Sequence, residues 1–235
     1  MNSDTKNRWK NLAKKLCDIY KDENRENQFK VDLHYLSKAY FFTEKLWYKQ
    51  FNLLPNQVPK VVMLSEAPLF GDDRSYFYNP DTAPTAFFWS KDAIAVVGEG
   101  FADCKKLEEK QFLINSVTDK GFLILDLFPY SLNKNHTNIN YHDARKSLYL
   151  RIFQDSLEDH LRKKLDLIEK CSIPPLFLFR YKRLKNRLHD AVAKELRSRN
   201  LLGEDAKIES VGGSNMSLDR QRLADAIKAR VGRNN

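Results

Sequence analysis

Four short, continuous apolar runs, separated by long stretches with helical periodicity, constrain this chain more than any other feature of its sequence. The runs are Val61 to Leu64, Phe122 to Leu127, Leu176 to Phe179 and a weaker one from Ile208 to Val211. A strand covered on one face alternates apolar and polar residues, whereas a strand covered on both faces reads as an unbroken apolar run. Parallel neighbours also need long crossover connections, and the intervening segments have the length and pattern for helices at about 103 to 117, 143 to 170 and 183 to 200. A last helix is expected from 218 to 231, with Ser217 as N-cap and Asp219 at the positive end of the helix dipole. The predicted fold is α/β: a three-layer α/β/α sandwich around a four-stranded, mainly parallel sheet.

Upstream of this core the pattern differs. From about residue 4 to 54, Trp9, Leu12, Leu16, Ile19 and Tyr20, and then Leu33, Leu36, Tyr40, Phe41 and Trp47, recur at helical spacing until Pro55 and Pro59 interrupt them. The expected organisation is an N-terminal helical extension over 1–58 packed on the core, the α/β/α core over 59–231, and a loose tail over 232–235. A chain of 235 residues suits one core with such an extension.

No run approaches the roughly 20 apolar residues that span a bilayer, and the polar start lacks the apolar segment of a signal peptide, so a cytoplasmic protein without a membrane partner is expected. The cysteines Cys17, Cys104 and Cys171 are far apart, with no metal-binding spacing, so reduced thiols and neither metal nor iron–sulfur cluster are expected, and no other cofactor. The net charge of +9 favours a polyanionic partner, and part of it is concentrated. Between 180 and 200 there are eight basic and two acidic residues, with Arg180, Lys182, Arg183, Lys185 and Arg187 close together just after the third strand. Phosphate contact and a solvated helix face both explain such a cluster.

Walker, GxGxxG, GxSxG and HExxH motifs are absent. The chemistry of a parallel sheet is expected at the carboxyl ends of its strands. The first run ends in Ser65-Glu66-Ala67-Pro68, followed by a long polar and aromatic loop. A carboxylate there can orient water or stabilise a cation, or it can serve as a cap or ion-pair partner. The second run ends at Asp126, and the fourth leads into Gly212-Gly213-Ser214-Asn215-Met216-Ser217. His136 and His142 lie in the polar segment after the second strand.

These strand ends resemble the motifs of the uracil-DNA glycosylase superfamily, over roughly residues 59 to 231. The first motif reads G-E-A-P-G in one branch; Glu66-Ala67-Pro68 match it, with Ser65 and Leu69 in place of the glycines. The resemblance implies that Glu66 positions water, that Ala67 lines the base pocket, and that Phe77 stacks on a flipped base, with Tyr76 and Tyr78 as its alternates. Asp126 falls where the superfamily has an asparagine that reads the base edge. A carboxylate only accepts hydrogen bonds, which suits the amino group of cytosine better than uracil, so a modified cytosine, as in bacteriophage DNA, is the expected substrate. A helix cap or structural ion pair is the other reading of Asp126. The last motif, commonly H-P-S, is matched only at Ser214, with Gly212 where the histidine would be. Met216 would fill the gap left by the base, with Asn215 and Ser217 beside it on DNA. Ser214, Arg180, Lys182, Arg183 and Lys185 complete the expected DNA contacts. The implied activity is a DNA glycosylase, acting without metal as a monomer. A non-catalytic DNA-binding protein on the same fold, a uracil-specific repair glycosylase and a small-molecule hydrolase are the rival readings.

Overall fold

A computed structural model describes residues 3–72, 74–82, 90–97, 107–171, 173–212 and 218–231. Four strands form one all-parallel sheet in the order β2-β1-β3-β4: β1 is Val61–Ser65, β2 Phe122–Asp126, β3 Leu176–Phe179 and β4 Glu209–Ser210. Every residue of β1 and β2 is buried, as their unbroken apolar runs require. The turn into β2 depends on Gly121, at φ +76°, where a Cβ would lie 2.9 Å from the Lys60 side chain.

Eight helices occur among the described residues: α1 (Ser3–Asp22), α2 (Glu26–Asn52), α3 (Ser90–Val97), α4 (Leu107–Asp119), α5 (Lys146–Ser156), α6 (Leu161–Ile168), α7 (Lys182–Arg197) and α8 (Arg220–Val231). With helices packed on both sides of the sheet, the architecture is the three-layer α/β/α sandwich. α4 lies against β2 and α7 against β3 and β4, while α3 contacts α4 and α8, and α5 contacts α1 and α7.

Three expectations need correction. The helix expected over 143 to 170 is two helices, because the chain turns at 157–160 to drive His160 inward onto the backbone of β2. The helix α3 falls in a stretch where no element was expected. At the start of α8 the cap is Asp219, whose Oδ1 accepts from the Arg222 N–H at 3.0 Å. Ser217, like Ser214, Asn215, Met216 and the tail 232–235, lies outside the described residues.

The N-terminal region forms two helices that reverse at Asn24, held in the left-handed region at φ 57°. Their apolar stripes do not form a separate core. Leu12, Leu16, Leu36 and Trp47 belong to one continuous hydrophobic cluster with Val62, Leu64, Leu123 and Leu125 of the sheet. Trp47 also takes up an exposed edge: its indole N–H donates to the Ile124 carbonyl at 3.0 Å. Strand β2 is the sheet border, so its outward backbone groups need partners from elsewhere. The Ile124 N–H donates to the Tyr78 hydroxyl at 2.7 Å, and His160 Nε2 donates to the Asp126 carbonyl at 2.9 Å.

Candidate active site

At the carboxyl ends of β1 and β3 lies a cavity of about 1060 Å³. One wall is the segment from Glu66 to Asp72, a second is the loop 131–136 with Tyr141 and His142, and the third is Tyr181 to Leu184 at the start of α7, with Gly212. Glu66 follows the last residue of β1, and its carbonyl accepts the Phe128 N–H at 3.0 Å, extending the β1–β2 pairing by one residue. Its backbone is therefore fixed by the sheet.

The Glu66 side chain is equally fixed. Oε1 accepts from the Tyr149 hydroxyl at 2.6 Å and from Arg183 Nη2 at 3.2 Å, and the same Nη2 donates to the Tyr141 carbonyl at 3.0 Å. Burial and the adjoining carboxylate push the Tyr149 phenol well up, so it remains a donor. The Arg187 guanidinium covers the Tyr149 ring at 4.6 Å. Two donors, Tyr149 of α5 and Arg183 of α7, thus hold one carboxylate oxygen, while among the described residues Oε2 has no hydrogen-bond partner. Ala67 also lines the cavity, and Leu69 stands at its rim, 44% exposed.

The loop wall is built by its own polar groups and by the N-terminal helices. Asn133 Nδ2 donates to the Tyr35 hydroxyl at 2.8 Å, its Oδ1 accepts from the Asn135 N–H at 3.1 Å, and Thr137 Oγ1 bridges to the carbonyls of Asn133 and Ile139 at 2.9 and 2.8 Å. Tyr35, from α2, also bonds the Phe70 carbonyl and stacks on His136 with ring centroids 4.9 Å apart. Buried Asp32, on the same helix, accepts from the Asn138 N–H at 2.7 Å. Helix α2 therefore sets the position of the loop that faces Glu66.

Three expected site residues are elsewhere. Ser65 and Asp126 are paired in register, so their side chains share one face of the sheet, and Glu66, one residue on, turns to the face of α5 and α7. Asp126 is 2% exposed, does not line the cavity, and accepts from the Tyr76 hydroxyl at 3.1 Å. The two carboxylates sit on adjacent strands, as expected, but do not converge on one pocket, and the base-reading role of Asp126 is withdrawn. Phe77 and Tyr78 are 4% and 3% exposed and part of the core. Tyr78 closes the edge of β2 and Tyr76 partners Asp126, so the aromatic loop is internal and the stacking role of Phe77 is corrected too.

Burial pushes the Asp126 carboxyl up to about 6, although Lys164, Tyr76 and Ser65 all favour the ionised form. Folded Asp126 then holds a proton that the unfolded chain has released, and its ionised form opposes folding above that range. Stability from this group falls as pH rises from about 4 to 6 and stays low above it. Asp126→Asn, neutral at every pH, is expected to raise stability at pH 8 by roughly 1–3 kcal/mol. Urea titration at pH 8 and pH 4 checks this: the gain must disappear at the lower pH.

The basic cluster is divided by the fold. Lys182 and Arg183 line the cavity, whereas Lys185 turns away to pair with Glu209 at 3.0 Å, and Arg180 is buried with its guanidinium over the Tyr181 ring at 5.0 Å. Arg180, buried, is thus corrected as an expected DNA contact, while Lys185 lies outside the cavity lining. The residue at 212 is also explained: a Cβ there would lie 2.7 Å from the Arg180 carbonyl oxygen and 3.0 Å from the Lys182 nitrogen, so no histidine fits in this close approach. His136 and His142 both reach the cavity, and His142 Nδ1 lies 2.8 Å from Asp143 Oδ1. Tyr149 was missed because in sequence it is one more apolar-face residue beside Leu148, Ile152 and Phe153.

Among the described residues, no group of three or more His, Cys, Asp or Glu side chains is placed to hold a metal, and no helix is long and apolar enough to cross a membrane. A scan against protein-family models and searches of curated proteins and of solved structures found no match.

Proposed function

We propose that this chain hydrolyses the N-glycosidic bond of a non-standard pyrimidine nucleotide swung out of DNA. The observation that carries the reading is Glu66, oriented through Oε1 by Tyr149 and Arg183 and placed in a roomy cavity at the carboxyl end of a central parallel strand. In the reaction, Oε2 accepts a proton from water as its oxygen bonds to C1′ of the sugar. The C1′–N bond breaks, its electron pair leaves with the base, and the proton follows to the departing nitrogen. The carboxylate also offsets positive charge developing on the sugar. Aromatic surface for the base comes from Tyr181 and from His136 backed by Tyr35, in place of Phe77. Extrusion of a base into such a pocket costs a few kcal/mol, which a positively charged DNA-facing surface helps to offset.

With Asp126 away from the cavity, the preference for cytosine loses its basis, and the proposal covers modified pyrimidines as a class. Purified protein incubated with duplexes carrying uracil, hydroxymethylated or glucosylated cytosine, followed by alkali, is expected to cleave at least one of them at an abasic site. DNA affinity without cleavage of any duplex would instead identify a non-catalytic binder, and indifference to DNA a small-molecule hydrolase.

A further inference from the structure

The cationic side chains of the cavity are unequal in their partners, and this difference points to a ligand. Arg183 is anchored by one nitrogen, Nη2, to Glu66 and Tyr141, while among the described residues Nε and Nη1 have no hydrogen-bond partner. Lys182, beside it, and Lys134, on the facing loop wall, are exposed, line the same cavity and form no ion pair among the described residues. Outside the cavity, Lys185 and Arg222 share Glu209, and Arg162 and Arg199 share Glu195. Three cations from two walls, one of them an arginine whose Nε and Nη1 remain available beside its ion pair with Glu66, suit a tetrahedral oxyanion that accepts several hydrogen bonds at once.

We propose that Arg183, Lys182 and Lys134 form a phosphate site beside Glu66, which grips the backbone phosphate flanking the target nucleotide. This rests on the reading of the cavity as a nucleotide site and adds the group by which the nucleotide is held. It makes a phosphodiester-linked nucleotide, rather than a free nucleoside or base, the ligand of the cavity. Arg183 then acts as a positioning residue with two hands, one on the carboxylate and one on the substrate, and ties the distance between them.

The probe is a short duplex with one tetrahydrofuran abasic residue, compared with the same duplex carrying neutral methylphosphonate linkages on either side of that residue. Binding is followed by fluorescence anisotropy with the full chain. The wild type is expected to bind the neutralised duplex roughly tenfold more weakly. Arg183→Ala loses roughly tenfold on the normal duplex and nothing more on the neutralised one, because the partner of the missing group is already gone. Lys182→Ala, at an exposed side chain whose removal does not threaten folding, gives a smaller loss in the same pattern. Lys194→Ala, which removes one charge at the far end of α7, leaves the ratio between the two duplexes unchanged. A wild type indifferent to neutralisation, or Arg183→Ala and Lys182→Ala variants that keep the full tenfold ratio, would overturn the assignment. Phosphate sensitivity without base release from any DNA leaves this site standing and removes the glycosidase reading. Base release with an unchanged ratio in Arg183→Ala does the reverse.

Discussion

Glu66→Gln is expected to lower the single-turnover rate of base release by roughly 10²- to 10⁴-fold while leaving affinity for DNA within a few-fold of wild type. The carboxamide is nearly isosteric, and its oxygen can still accept from Tyr149 and Arg183, which hold Oε1 at 2.6 and 3.2 Å. What changes is the other arm: Oε2, which takes a proton from water in the proposed reaction, becomes an NH₂ group that can only donate. A lost rate with retained affinity separates a group acting in the transition state from one that shapes the cavity. Tyr149→Phe keeps the charge but releases the orientation, so a smaller drop, about tenfold, is expected. A Glu66→Gln rate within tenfold of wild type removes the carboxylate from the chemistry.

The largest effect on stability is expected at Glu44, far from the cavity. Its side chain is 3% exposed, lies 3.1 Å from Arg8 Nη1 and 2.6 Å from Lys164 Nζ, and joins α1, α2 and α6. Lys164 is itself 2% exposed, with its ammonium 4.7 Å from the Trp47 ring centre, and His160 Nδ1 lies 3.6 Å from Glu44 Oε1. Burial lowers the His160 pKa to about 3, with Lys164 adding to the effect, so the imidazole is neutral and the net charge rests on Glu44, Lys164 and Arg8. Glu44→Gln leaves buried Lys164 with no counter-charge and Arg8 with Asp4 alone, and a loss of roughly 3–5 kcal/mol is expected from urea unfolding at pH 7. Burial works against ionisation of Glu44, but Lys164 and its neighbours hold its pKa below the ordinary carboxylate value. Its contribution is therefore present above about pH 4.5 and is lost as pH falls below that, so the variant and wild type should approach one another in acid. Glu44→Leu combined with Lys164→Met should recover part of the loss, since apolar packing replaces both partners of the pair. A wild-type urea midpoint for Glu44→Gln would show that the pair carries no net stabilisation.

Much of the fold was legible because each layer leaves a local mark. The unbroken runs at Val61, Phe122 and Leu176 gave β1, β2 and β3 within a residue or so, and the stripe through Leu184, Leu188 and Val192 gave α7. The break between α5 and α6 left no such mark, since no glycine or proline signals it and its cause is a contact between His160 and a strand distant in sequence. At the site, Glu66 and Ala67 were legible because a strand end is a local feature. Asp126, Phe77 and Tyr78 were misplaced because proximity in a motif says nothing of which face a side chain takes.

The amino-acid order alone determined the layers, the parallel strands and the position of Glu66 at a strand end, because burial on two faces and helical periodicity are written into consecutive residues. Only the tertiary structure decided that Glu66 and Asp126 face apart, that Tyr149 and Arg183 hold the first, and that the basic cluster divides between cavity and surface. Those outcomes depend on register between strands and on which helix covers which face. Both are set by contacts between residues far apart in the chain, which no local pattern encodes.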